Sequence, residues 1–206
     1  MPIIAIVGNK GGAGKTTLSV NLAAGISNQS SIAAIDADPQ GSSLQWRAIA
    51  GDNVHFPVYA STFSLKQQAE SYSSKNDVVL IDCPPSVKSP QTVSVLEFAD
   101  VALIPVQPSP MDLWATVHIE KAVAEARETN PELKALLVIN QLESRTTLSK
   151  LVREVLNEIA LPVAETAIRR RAIYRNSALE GKSVFGIGKR GADAVEEINS
   201  LIQEVV

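Results

Sequence analysis

Cysteine is almost absent: Cys83 is the only one in 206 residues. A single thiol excludes an intramolecular disulfide and any four-cysteine zinc or iron–sulfur centre within one chain. Histidine is nearly as scarce, and His55 and His118 stand far apart, which argues against a conventional His/Cys metal centre. Aromatic residues make up 4% of the chain, so its core must be built from Ala, Val, Ile and Leu. The same scarcity argues against a nucleic-acid binder that stacks bases on Phe or Tyr. Long apolar runs are missing too: none exceeds about six residues, against the ~20 that a membrane-spanning helix needs. The first residues lack the charged-then-apolar layout of a signal peptide, since Pro2 leads straight into a strand-like run. The expectation is a cytoplasmic protein with no membrane partner.

What is present suffices for one domain over residues 1–206, with a hydrophobic content of 45%. Short aliphatic runs alternate with longer helical patterns. The runs are Ile3–Val7, Ile32–Ile35, Val78–Ile81, Val101–Val106, Leu136–Ile139 and Val163–Ala167, with a short extra strand expected within 52–64. Each run is continuously apolar rather than alternating, as in strands covered on both faces. Helices are expected over Lys15–Ser27, Ser42–Ala50, Leu65–Tyr72, Asp112–Arg127, Thr147–Ile159 and Ala192–Val205. The fold class is therefore α/β: a doubly wound, mostly parallel sheet with helices on both faces. Ligands of such sheets bind outside the carboxyl ends of the strands.

The polar residues at those ends read as a nucleotide site. The first strand runs into Gly8-Asn9-Lys10-Gly11-Gly12-Ala13-Gly14-Lys15-Thr16-Thr17, and a helix follows. Glycines let successive backbone N–H groups face a phosphate, and the helix amino terminus adds its positive dipole end. Gly11, Gly12, Ala13, Gly14, Lys15, Thr16 and Thr17 thus form the candidate ATP-binding loop. Lys15 would reach the β- and γ-phosphate oxygens, and the Thr16 hydroxyl would ligate Mg²⁺. Asn9 occupies the place where the strict phosphate-loop pattern has glycine, so this is a variant loop.

Two acidic motifs complete the pattern. Asp36-Ala-Asp38-Pro-Gln-Gly-Ser42 closes the second strand, with two carboxylates in alternate positions. One suits the metal's water shell and the other the attacking water; the competing reading makes Asp38 a cap for the next helix. Val78-Val79-Leu80-Ile81-Asp82 ends another strand in an acid that would hold Mg²⁺ through water. The adjacent Cys83 reads as a small buried filler.

Lys10-Gly-Gly-Ala-Gly-Lys15-Thr resembles the deviant Walker-A ATPases of the ParA/MinD class, and the resemblance covers essentially the whole chain. It implies that Lys10 reaches across a two-fold dimer to the ATP of the other subunit, where other NTPases use an arginine finger. By the same resemblance Asp38 positions and polarises the hydrolytic water and Asp36 supports the Mg²⁺ shell. Asn140 resembles the adenine-contacting asparagine. The proline-rich Pro105–Asp112 segment resembles one at the interface of the nucleotide-sandwich homodimer.

Missing features sort the relatives. One cysteine excludes the nitrogenase-type iron protein, which bridges a cluster with two per subunit. The last helix carries Asp193, Glu196, Glu197 and Glu204 rather than the basic membrane helix of MinD-like proteins. With the loop starting at residue 8, no helix-turn-helix domain is expected before it. The small ParA/ParF-like class remains. It implies an ATP-bound dimer that coats nucleoid DNA without sequence specificity, released when a ParB-type adaptor on the cargo stimulates hydrolysis. Plasmid, chromosome and carboxysome-like compartments are all possible cargoes.

The charge distribution agrees. Residues 168–190 hold seven bases against one acid, a local +6 that leaves −9 for the rest of a chain whose net charge is −3. Arg169, Arg170, Arg171, Arg175, Lys189 and Arg190 are accordingly the candidate contacts to double-stranded DNA; the alternative is a solvated face. Two other functions stand against this reading. A dethiobiotin- or cobyrinate-type ligase on the same fold would need a separate set of substrate-binding polar residues. A decayed scaffold is at odds with intact Lys10, Lys15, Thr16, Asp38 and Asp82.

Overall fold

The computed structural model describes residues 1–62, 64–143, 152, 154–156 and 158–206, with residues 112 and 113 described in their backbone only. One sheet holds β1 (Ile3–Ile6), β2 (Ile32–Asp36), β3 (Val58–Ala60), β4 (Val78–Asp82), β5 (Val101–Val106), β6 (Lys134–Leu142) and β7 (Ile168–Arg169). Their spatial order is β3-β2-β4-β1-β5-β6-β7, and each neighbouring pair is parallel.

Successive side chains of a strand point to opposite faces, and here both faces are covered. From β1, Ile3 and Ala5 enter one core together with Leu65, Val95, Leu96, Ile119 and Val123. Ile4 and Ile6 enter a second core with Leu18, Leu22, Trp46, Ile198 and Leu201. That two-sided burial is the physical reason for the unbroken apolar runs. Each such buried aliphatic side chain contributes about 1.5–3 kcal/mol relative to an exposed one.

The contents of the cores assign the helices. α1 (Lys15–Ser27), α2 (Ser42–Ala50), α6 (Ala172–Leu179) and α7 (Ala192–Val205) cover the second core's face. α3 (Leu65–Ser73), α4 (Pro90–Leu96) and α5 (Pro110–Thr129) cover the other. From β1 the chain steps through β2 to β3 at one edge, then back through β4 and β5 towards β7. Right-handed crossovers demand that the helices change face when that direction reverses, and they do. Reversal around β1 opens a crevice at the strand carboxyl ends, where the glycine loop sits.

Some elements differ from the sequence expectation. The last strand is Ile168–Arg169 rather than Val163–Ala167; Val163 makes only an isolated parallel bridge to Leu137. The short strand expected within 52–64 is β3. α4 and α6 were not expected. α4 is started by Ser89, whose Oγ accepts from Thr92 N at 3.2 Å, with Pro90 in the first turn. The helix expected over Thr147–Ile159 falls largely outside the described residues; Val152 and Leu156, which are described, are buried. α7 packs Ile198 and Leu201 into the core, with Ile202 and Val205 partly buried beside them. Among the described residues no helix is long and apolar enough to cross a membrane.

Candidate nucleotide site

β1 delivers the chain into the glycine loop, and α1 begins at Lys15 directly after it. Gly14 caps α1 with a left-handed φ of 89°, and no side chain caps the first turn. The amino-terminal N–H groups of α1 are thereby left to the loop's ligand. A Cβ at Gly14 would stand 2.4 Å from Asn140 Nδ2, so glycine is required there twice over. At Gly11 and Gly12 a Cβ would meet nothing within 4 Å, and both residues are exposed. The loop's outer shoulder is open.

Three side-chain amides brace this loop from behind. Asn140 Nδ2 donates to Ala13 O at 2.7 Å, and Gln107 Nε2 donates to Gly12 O at 2.6 Å. Gln141 Nε2 adds a bond of 3.2 Å to Gly12 O. Consecutive strand residues normally point apart, yet Asn140 and Gln141 both reach the loop. The reason is a register shift in β6 between Asn140 and Leu142, with Gln141 at a φ of 55°. A non-glycine residue in that region costs about 1–3 kcal/mol and persists only where its surroundings hold it. Here the strain turns two amides onto the loop carbonyls, leaving N–H groups to face the crevice.

Lys15 is 7% exposed. Its stem runs past Gly8, where a Cβ would stand 3.4 Å from Lys15 Cδ, and Nζ donates to Lys10 O at 3.1 Å. Burial lowers its pKa, opposed by the charges of Asp82 and Asp38. The ammonium is therefore close to both acidic motifs.

Those motifs behave differently. Asp36 is buried, and both its oxygens accept backbone N–H groups: Oδ1 from Asp38 at 3.1 Å and Oδ2 from Leu44 at 2.9 Å. Burial raises its pKa against those bonds. Asp36 shapes the turn that presents Asp38 and starts α2. Asp38 is half-buried, and its Oδ1 accepts from Gln40 N at 2.9 Å. Asp82 Oδ2 accepts from Ser43 Oγ at 2.6 Å, whereas Oδ1 is buried with no hydrogen-bond partner among the described residues. Burial pushes its pKa up to about 6, opposed by the Ser43 and Thr16 hydroxyls. An orphaned carboxylate oxygen beside a threonine hydroxyl is a donor set that suits Mg²⁺. The residues present fit the ion.

That burial has a testable consequence. The folded pKa of Asp82 lies above its ordinary 3.8. The nucleotide-free fold therefore holds a proton that the unfolded chain releases, and loses stability as pH rises from about 4 to 6. At pH 7 the cost stands in full, about 3 kcal/mol at ~1.4 kcal/mol per unit. Asp82→Asn should raise the Tm of the nucleotide-free protein at pH 7 but not below pH 4, and should lose any Tm gain from Mg²⁺ with ATP. Equal Tm at both pH values would place Asp82 in a polar, uncosted setting.

Beside the loop lies a cleft of about 140 Å³, floored by Leu18, Ile168 and Ile198 and reaching Gly14 and Asn140. Arg169, Arg170, Arg171 and Arg175 line it as well. Distant from the loop in the chain, these arginines adjoin it in space. Arg171 is clamped on α7, Nη2 to Glu197 at 2.7 Å and Nη1 to Asp193 at 2.9 Å. Arg170 pairs with Glu143, and Arg169 Nε lies 3.8 Å from Glu197. Lys189 and Arg190 are exposed in the short 3₁₀ segment Val184–Gly191. Val184 N donates at 2.9 Å to Asn21 Oδ1 of α1, which ties that segment to the helix of the phosphate loop. Gln107 and Gln141 are among the polar residues following the apolar runs that the sequence reads as a nucleotide site, whereas Ser43, just past the Asp36–Ser42 motif, was not indicated.

A parallel sheet whose first strand feeds a glycine loop, a buried lysine and a helix, with acids at two further strand ends, is a P-loop NTPase of the ParA/MinD fold. The chain belongs to the CobQ/CobB/MinD/ParA nucleotide binding domain family, whose model matches residues 4–184. It is 39% identical to the maintenance of carboxysome distribution protein A of Halothiobacillus neapolitanus over 206 residues, covering 98% of this chain and 95% of that one. The chromosome-partitioning ATPase Soj of Thermus thermophilus is 28% identical over 241 residues, covering 98% of this chain and 96% of Soj. Among solved structures, apo McdA of Cyanothece superposes with a TM-score of 0.79 at 18% identity, over 100% of this chain and 99% of that one.

Proposed function

We propose that the chain is an ATP-dependent, dimerising ATPase that distributes a cargo over nucleoid DNA. In this reading it binds double-stranded DNA without sequence preference and is released when a ParB-type adaptor on the cargo stimulates hydrolysis. The observation that carries it is the likeness, along its whole length, to a carboxysome distribution protein, which also favours a carboxysome as the cargo.

The site supplies the chemistry. Lys15 and the loop N–H groups bind the phosphates, and Lys10 at the open shoulder neutralises charge on the nucleotide of the second copy. Thr16 and Asp82 hold Mg²⁺, with Asp36 behind Asp38, and the ion when bound neutralises phosphate charge. Asp38 orients and deprotonates the attacking water. Dimerisation is supported by Gln107, which joins the proline-rich segment to the loop just before α5, where Met111, Trp114 and Val117 stand exposed. Trp114 is 69% exposed, a large apolar surface for a rim that meets only water.

DNA binding is assigned here chiefly to Lys189 and Arg190. A salt titration of duplex affinity tests it. Binding should require ATP and Mg²⁺ and follow a log–log slope of about −0.9 per phosphate neutralised. Each residue is present twice in a dimer, so Lys189→Ala or Arg190→Ala should flatten the slope by roughly two units per contacting residue, for all sequences alike. ATP affinity should be unchanged. Equal binding with ADP and ATP, or an unaltered slope in both variants, would leave these bases as a solvated face.

A further inference from the structure

Ser43, in the first turn of α2, is 3% exposed, and its Oγ donates to Asp82 Oδ2 at 2.6 Å. A serine at a helix start ordinarily turns its oxygen onto nearby backbone groups of its own helix. Here no side chain caps α2, and the hydroxyl crosses to another strand instead. The next residue does the same with its backbone: Leu44 N donates to Asp36 Oδ2 at 2.9 Å. Asp36 and Asp82 are register partners on β2 and β4, so two consecutive residues of α2 clasp the acids at two adjacent strand ends. The Leu44 anchor fixes where the Ser43 oxygen stands. With Oδ2 of Asp82 taken, Oδ1 is the oxygen that has no hydrogen-bond partner among the described residues.

We propose that Ser43 is a positioning residue for the metal ion: its hydroxyl holds the Asp82 carboxylate by Oδ2 in the orientation that keeps Oδ1 free for the Mg²⁺ shell. The proposal rests on the reading that Thr16 and Asp82 hold Mg²⁺. A carboxylate rotates broadly about its last bond, so an unheld one has to be ordered when the ion arrives. A hydrogen bond from an outer residue does that ordering in advance, and loss of such a partner costs a metal site about 10–100-fold in affinity or activity. Ser43 acts through Asp82 and is assigned no contact with the nucleotide or the attacking water.

The test compares Ser43→Ala, which removes only the oxygen, with Ser43→Thr, which keeps it. ADP, which cannot turn over, is titrated calorimetrically into each protein in EDTA and again in excess Mg²⁺. The ratio of the two affinities is the gain due to the metal. Ser43→Ala should bind ADP like wild type in EDTA and lose about ten-fold of the gain from Mg²⁺. Ser43→Thr should retain that gain. A merely structural hydroxyl would lower the Tm of Ser43→Ala and leave the ratio where it was, which overturns the proposal. An equal loss in Ser43→Thr overturns it too, since the oxygen would not be the cause. So does weaker ADP binding by Ser43→Ala in EDTA, which would place Ser43 in the shaping of the phosphate loop. A wild type whose ADP affinity does not respond to Mg²⁺ would instead refute the underlying metal reading, and is seen before any variant is made.

Discussion

Lys15→Ala is expected to lower ATP affinity at least 10²-fold and to leave the nucleotide-free fold intact. The ammonium is held in place before any ligand arrives: 7% exposed, with Nζ bonded to Lys10 O at 3.1 Å. Phosphate oxygens can take over the place of that carbonyl as acceptor, exchanging a neutral partner for a charged one, and charge-assisted bonds are about twice as strong. Removing the ammonium deletes this bond and also unbalances the site. Asp82 and Asp38 are the charges that favour its protonated form. Without it, both carboxylates face the triphosphate with no protein cation between. Breaking a buried pair from one side costs about 3–5 kcal/mol, which is a factor of roughly 10²–10⁴ in affinity. Lys15→Arg should not rescue binding, since a planar guanidinium is not the compact point charge that fits over Gly8. Calorimetric titration with Mg²⁺ and ATP decides it; wild-type affinity in Lys15→Ala would remove the phosphate-loop assignment.

Much of the fold could be read from the sequence because parallel strands buried on both faces leave an uninterrupted aliphatic signal, as in Ile3–Ile6 and Val78–Asp82. Where that signal misled, another force fixed the structure. Val163–Ala167 has the composition of a strand, yet only Val163 bridges Leu137, and the paired residues are Ile168 and Arg169. α4 escaped notice because Thr92, Val93 and Val95 are β-branched; its Ser89–Pro90 start was the available clue. At the site, the motifs located Lys15, Asp38 and Asp82 because each lies in one short stretch. Gln107, Asn140 and Gln141 are legible as polar residues at the ends of two apolar runs, but no local pattern announces that their three amides converge on two carbonyls, and Ser43, in the first turn of α2, gave no signal of its bond to Asp82. The arginines show the same limit from the other side. Their charge is visible in the sequence, but Glu197 and Asp193, which hold Arg171, come more than twenty residues later in the chain.

Asp38 carries the second large effect, and its two readings separate cleanly. Its Oδ1 accepts from Gln40 N at 2.9 Å, and Gly41 N donates to Asp38 O at 2.9 Å, so the carboxylate organises the turn into α2. As a turn residue alone, its loss costs about 1 kcal/mol of stability and leaves the rate untouched. As the group that orients and deprotonates water, its loss lowers turnover roughly 10²–10⁴-fold. Asp38→Ala removes both functions and would by itself be ambiguous. Asp38→Asn keeps an acceptor for Gln40 N, and with it the turn, but has neither the charge nor the basicity for proton transfer. The expectation is therefore the same 10²–10⁴-fold loss of turnover in both variants, with a stability cost in the alanine variant only. ATP binding should persist in each, because Lys15 and the loop are unaltered, so the ATP-bound dimer should accumulate and be visible by sizing with light scattering. The decisive measurement is single-turnover hydrolysis by Asp38→Asn. A wild-type rate there would reduce Asp38 to a turn residue, and the search for the water-activating group would move to the neighbouring subunit.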